Sequence, residues 1–138
     1  MPIPARAGTF PFRAPPRTAN ALPMQLRSID HTGLPVILIE GEVDLYQSPD
    51  LRAALQAHVK TRTPALALDL TGVPYIDSSG LATIVEYVRS TQGFGGRIAL
   101  FGLSARVKTI FDLVRLGEIL PIVATCDDAR TALLSPPA

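Results

Sequence analysis

The chain reads as an α/β protein with a mixed, mostly parallel sheet of about five strands and about four helices packed mainly on one face. Three observations predict this. Strand-like and helix-like segments alternate from Met24 onward. One segment, Ala65 to Leu70, is apolar at every position except Asp69, as expected of a strand covered on both faces. Two later segments carry apolar residues at i, i+3, i+4 and i+7, the stripe of a helix lying against a sheet. Right-handed crossovers between such units make neighbouring strands parallel and put the connecting helices on a common side.

A chain of 138 residues suits one domain. Residues 1–23 differ from the rest: they hold six of the thirteen prolines, three Arg and no Asp or Glu. Missing N–H donors and fixed φ angles keep such a segment out of helices and central strands. It is expected to be a disordered Pro-rich arm of charge +3, leaving 10 basic against 12 acidic residues beyond it. Met24, where the alternating pattern begins, is an alternative start codon, and residues 24–138 then form a single domain of 115 residues.

The elements follow in order. Met24 to Ile29 and Pro35 to Glu40, joined through His31-Thr32-Gly33, predict a hairpin. Ser48 is expected to cap a helix with Pro49 in its first turn. Leu51, Ala54, Leu55 and Val59 give that helix its apolar face, with Arg52, Gln56 and Lys60 outside. Thr71-Gly72 reads as a turn after the Ala65–Leu70 strand. A second helix runs from about Ser79 to Thr91, with Leu81, Ile84, Val85 and Val88 inward, and Gly93-Phe94-Gly95-Gly96 ends it. Arg97 to Phe101 is the next strand. Ser104 caps a third helix with Val107, Ile110, Phe111 and Val114 inward, and Gly117 stops it. Ile122-Val123 is a short strand, and Asp127 caps a last helix to about Leu134.

Composition narrows the function. A formal net charge of +1 implies no general attraction to nucleic acid. No apolar run approaches the ~18 residues of a membrane span, and the N-terminus lacks a secretory apolar region. The single cysteine, Cys126, rules out an internal disulfide framework and fits a reducing cytosol, so a cytoplasmic location is expected.

The catalytic and ligand motifs fail one by one. Neither Ser78 nor Ser79 has the preceding glycine of a nucleophile elbow. His31 and His58 fall in a turn and on a helix, with no carboxylate arrangement that suggests a triad. The Gly93–Gly96 run follows a helix and precedes a strand, the reverse of a phosphate loop. Cys126 has no Cys or His at zinc-ligand spacing. No enzyme, cofactor or metal is expected. Arg106, Lys108 and Arg115 lie off the apolar face of the third helix, as a solvated face or a partner surface.

What remains is the junction Tyr75-Ile76-Asp77-Ser78-Ser79-Gly80-Leu81, where an apolar strand ends and a helix begins. A helix N-terminus offers unpaired N–H groups and a partial positive charge. Asp77 or Ser78 can cap it, a contribution of about 1 kcal/mol. Capping does not require Asp, Ser and Ser in succession followed by Gly. An exposed hydroxyl here, with space left by Gly80, suits a kinase. Phosphorylation of Ser78 would add a charge of about −1.5 to −2, which the helix tolerates and a docked partner does not.

Four segments resemble the STAS family, named for sulfate transporters and anti-sigma factor antagonists. They are Gly41-Glu42-Val43-Asp44, Leu68-Asp69-Leu70, Ile76-Asp77-Ser78-Ser79-Gly80-Leu81, and Leu103-Ser104-Ala105-Arg106-Val107 leading to Phe111 and Leu116-Gly117. The resemblance spans about Met24 to Leu134 and leaves the Pro-rich arm outside. It implies a STAS-like fold and an anti-sigma factor antagonist that switches partners. On that pattern the unmodified protein binds an anti-sigma factor Ser/Thr kinase and frees a sigma factor. Phosphorylation of the Ser after the motif Asp, Ser78 here, ends binding, and a metal-dependent serine phosphatase resets the cycle. Ser79 is the alternative acceptor. Asp44, Asp77, Ser79, Gly80 and Leu81 are the implied partner-binding residues. The other roles implied by the resemblance are a STAS subunit held against the ATPase subunit of an ATP-binding cassette phospholipid transporter, or a scaffold of a signalling complex.

Overall fold

A computed structural model describes residues 24–134; the expected arm, residues 1–23, and the last residues of the expected domain, 135–138, lie outside the described residues. Five strands form one sheet: β1 (Gln25–His31), β2 (Leu34–Glu40), β3 (Ala65–Gly72), β4 (Arg97–Phe101) and β5 (Ile122–Val123). Their spatial order is their chain order. β1 and β2 pair antiparallel, with His31 opposite Leu34, and every later pair is parallel. Among the described residues four α-helices accompany them, α1 (Ser48–Lys60), α2 (Ser78–Thr91), α3 (Ala105–Leu113) and α4 (Cys126–Leu134), with a short 3-10 turn at Leu116–Glu118.

Strand order explains the helix placement. When each parallel strand is added on the same edge, right-handed crossovers carry all the connecting helices over one face. That face carries the larger core: Ile37, Leu66, Leu68, Ile98 and Leu100 of the sheet, Leu51 and Leu55 of α1, Ile84 and Tyr87 of α2, and Val107 and Phe111 of α3. α4 follows the last strand, needs no crossover, and covers the other face. There Ala67 and Ala99 are register partners, with Ala65 two residues before Ala67 on the same face, and their small side chains admit Ala129 and Leu133 of α4. β3 is thus buried on both faces, as its unbroken apolar run predicts.

Several local expectations are corrected. Ser48 is inside α1 and its side chain caps nothing; its hydroxyl donates to the Leu45 carbonyl at 3.4 Å. The approach to α1 is ordered instead by Asp44, whose Oδ1 accepts from the N–H groups of Tyr46 and Gln47, both at 3.0 Å. Thr71 and Gly72 continue β3 instead of turning. The buried stripe of α2 is Gly80, Thr83, Ile84, Tyr87 and Thr91, and Leu81, Val85 and Val88 only flank it. The stripe rotates because Tyr87 and two threonines, not counted as apolar in the sequence pattern, take central positions. α3 ends at Leu113, before Gly117, and Val114 is exposed. Arg115 takes the left-handed turn that follows, at φ 58°. Thr125, and not Asp127, caps α4 through its hydroxyl, 3.1 Å from the Asp128 N–H.

Candidate functional site

The junction between β3 and α2 sits beyond the carboxyl end of the sheet. Ile76 is buried and forms a parallel bridge with Val43 of the β2–α1 loop. The Val43 N–H donates to the Tyr75 carbonyl and the Asp77 N–H to the Val43 carbonyl, both at 3.0 Å. These bonds hold the Asp44 loop against the junction as a short extra strand pair. Alternation along extended backbone then turns Tyr75 and Asp77 away from the core that takes Ile76.

Asp77 is the N-cap of α2, with extended backbone at φ −101° and ψ −174°. Its Oδ1 accepts from the N–H of Ser79 at 2.8 Å and of Gly80 at 3.2 Å, satisfying two donors that a helix start leaves unpaired. Its Oδ2 accepts from the Leu45 N–H at 3.1 Å. One carboxylate therefore starts the helix and ties the Asp44 loop to it. Asp44 itself is occupied in shaping that loop.

With Asp77 as the cap, Ser78 becomes the first helical residue and its side chain is exposed. Ser79 is half-buried, and its carbonyl accepts from the Thr83 hydroxyl at 2.8 Å. Gly80 is buried where no side chain fits. A Cβ there lies 2.6 Å from Ile76 Cγ1 and 2.8 Å from Val43 Cγ1. Its role is close packing of α2 on the bridge, whereas the open space sits at Ser78. Leu81 is half-buried against the main core.

The structure brings Asp44, Asp77, Ser78, Ser79 and Gly80 together, with Leu81 packed behind them. It adds three residues that sequence reading did not gather here. Leu45 and Tyr46, at 63% and 56% exposure, follow Asp44 on the tethered loop. Arg106, in the first turn of α3, lies 5.1 Å over the ring of Tyr75. The apolar pair after Asp44 was a signal available in the sequence; the contact between α3 and Tyr75 was not.

His58 is half-buried on α1, 2.9 Å from the Thr63 hydroxyl, and burial lowers its pKa. Burial, then the charges of Asp127 and Asp69, push the Cys126 thiol up, with Arg130 opposing them. Among the described residues no three His, Cys, Asp or Glu side chains converge as a metal site requires. No helix among them is long and apolar enough to cross a membrane.

Known proteins align with this arrangement. The STAS domain family model matches residues 25–129. An anti-sigma-B factor antagonist of Listeria monocytogenes is 34% identical over 96 residues, which span 70% of this chain and 82% of the relative. An anti-sigma-B factor antagonist of Bacillus subtilis is 35% identical over 86 residues, spanning 62% and 78% respectively. A crystal structure of an anti-sigma factor antagonist from Mycobacterium paratuberculosis superimposes with a TM-score of 0.73 at 28% identity, covering 80% of this chain and 93% of that one.

Proposed function

The chain belongs to the STAS domain family, and from that premise we propose that it is an anti-sigma factor antagonist switched by phosphorylation of Ser78. The function itself rests on its relatives, which are anti-sigma factor antagonists over most of their own length. The observation that carries the switch is the division of labour at the junction. Asp77 satisfies the helix start, so the adjacent Ser78 hydroxyl is exposed and not needed for capping.

In this reading the unmodified chain is a regulatory protein of the cytoplasm without enzymatic activity. It docks on an anti-sigma factor that is a Ser/Thr kinase, and the sigma factor is released. The kinase transfers the γ-phosphoryl group of ATP to the Ser78 oxygen, whose proton is lost, and ADP leaves. The phosphate sits in the positive field of the α2 N-terminus, so the fold survives its arrival. The docked partner instead meets new negative charge and a desolvation penalty, and dissociates. A metal-dependent serine phosphatase hydrolyses the ester and restores the hydroxyl. Ser79 is the poorer acceptor because it is half-buried.

The test is mass spectrometry of the protein purified from its native cells, together with two variants. Phosphate on the peptide containing Ser78 is expected, as is a Ser78→Ala protein that stays bound to its partner. Ser78→Asp should bind weakly with little loss of stability. A peptide unmodified in every growth condition, with a copurifying ATPase and permease, would refute the switch and favour the transporter-subunit role.

A further inference from the structure

Three cations of the described surface have carboxylate partners. Lys108 pairs with Asp112 at 3.2 Å, Arg115 with Glu118 at 3.9 Å, and Arg52 of α1 with Glu86 of α2 at 3.0 Å. Arg106 differs. It is exposed, no ion pair engages it among the described residues, and its guanidinium rests on the Tyr75 ring. It also occupies the first turn of α3, where the helix dipole disfavours a cation. Neither helix stability nor an internal ion pair accounts for an arginine there. Tyr75 holds it beside the junction, two residues before Asp77. On the same junction, the Asp77 carboxylate holds the backbone of Leu45, which with Tyr46 presents two large exposed side chains.

We propose that these are two anchors of the surface by which the chain docks on its anti-sigma kinase: an apolar anchor, Leu45-Tyr46, and a cationic one, Arg106 held on Tyr75. The proposal rests on the reading of Ser78 given above and deepens it by specifying the partner's face. That face carries a carboxylate opposite Arg106 and an apolar pocket for Leu45 and Tyr46. Both anchors connect directly to the segment bearing Ser78, so a phosphate there enters the same contact. Tyr and Arg are the side chains that most often dominate binding energy when desolvated at an interface. A guanidinium pre-placed on a ring loses less freedom on binding than a free one.

The experiment uses the full chain and, as probe, the kinase-type anti-sigma factor recovered with the Ser78→Ala protein and purified. Affinities are measured by calorimetry at two salt concentrations for wild type, Arg106→Gln, Arg106→Glu, Leu45→Ser and Ser78→Asp. Circular dichroism melting checks that each variant is folded, which exposure at both positions favours. Arg106→Gln is expected to weaken binding about tenfold and flatten its salt dependence, and Arg106→Glu to weaken it further. Leu45→Ser removes a side chain buried on docking, so it should weaken binding about tenfold and leave the salt dependence intact. Wild-type affinity in Arg106→Glu and Leu45→Ser, with Ser78→Asp still weak, overturns the anchors and leaves the switch standing. Loss of melting stability only in the phosphorylated form of Arg106→Gln, with partner affinity unchanged, assigns Arg106 to the phosphate and also overturns them. If Ser78→Asp binds as tightly as wild type, the switch fails and the anchors fail with it.

Discussion

Replacing Asp77 by Ala removes the acceptor for three backbone N–H groups at once. The three losses are unequal. The N–H groups of Ser79 and Gly80 belong to the helix start, and losing an N-cap side chain costs about 1 kcal/mol, with about 2 as the upper end. The negative charge at the N-terminus of α2 contributes about 0.3 to 1 kcal/mol more. The Leu45 N–H is exposed, so water replaces the carboxylate with little change in stability. The total is about 1.5 to 2.5 kcal/mol, a fall in Tm of about 6–10 °C for a domain of this size. Asp77→Asn keeps one acceptor oxygen and should lose about half as much. Urea titrations should give a lower midpoint with an unchanged slope, because the surface exposed on unfolding is the same. Amide exchange should separate the two functions of the carboxylate: the Leu45 N–H exchanges faster in Asp77→Ala even where α2 remains protected. A variant that melts within about 1 °C of wild type would refute the cap as the organiser of this junction.

Gly80→Ala gains up to about 1 kcal/mol of helix propensity but places a methyl 2.6 Å from Ile76 Cγ1. Overpacking costs about 1–3 kcal/mol, so a net loss of about 1 kcal/mol is expected in denaturant unfolding. Gly93→Ala, with nothing within 4 Å of the new methyl, should be neutral or stabilising. The Tyr87 hydroxyl is buried with no hydrogen-bond partner among the described residues, so Tyr87→Phe should be neutral or gain about 1 kcal/mol. Burial raises the Tyr87 pKa to about 12, so the wild type should lose stability as pH rises from about 10 to 12, while the unfolded phenol ionises and the folded one does not. Urea midpoints of the two proteins across that range check it, and an equal decline in both counts against the buried phenol. For His58 burial lowers the pKa, so the unfolded chain takes up the proton first as pH falls through about 6.5. Its contribution is present above that pH and declines below it; melting of His58→Gln should vary less than wild type between about pH 7.5 and 5.5.

Much of this arrangement is legible along the chain because its signals are local. The apolar run of Ala65–Leu70, the hairpin turn and the Ser104 cap depend on neighbours within a few residues, and all three appear in the structure as read. The errors are local signals overruled at a distance. Ser48 has the right chemistry for a cap, but Asp44, held beside the junction by the Val43–Ile76 bridge, already orders that approach. Val114 continues the helical stripe of α3, yet the helix ends one residue earlier and leaves it in solvent.

The sequence by itself determined the strand and helix order, the family resemblance, and the Asp77-Ser78-Ser79-Gly80 junction as the place where chemistry concentrates. These follow from residue type and spacing, which fold formation expresses and does not create. Tertiary structure alone decided which of these residues is the cap, which hydroxyl faces solvent, and that Leu45 and Arg106 contact the junction. Leu45 reaches Asp77 across 32 positions in the chain, and Arg106 reaches Tyr75 from a different crossover unit. Contacts of that kind arise when parallel strands bring their carboxyl ends together, and no periodicity within one segment encodes them.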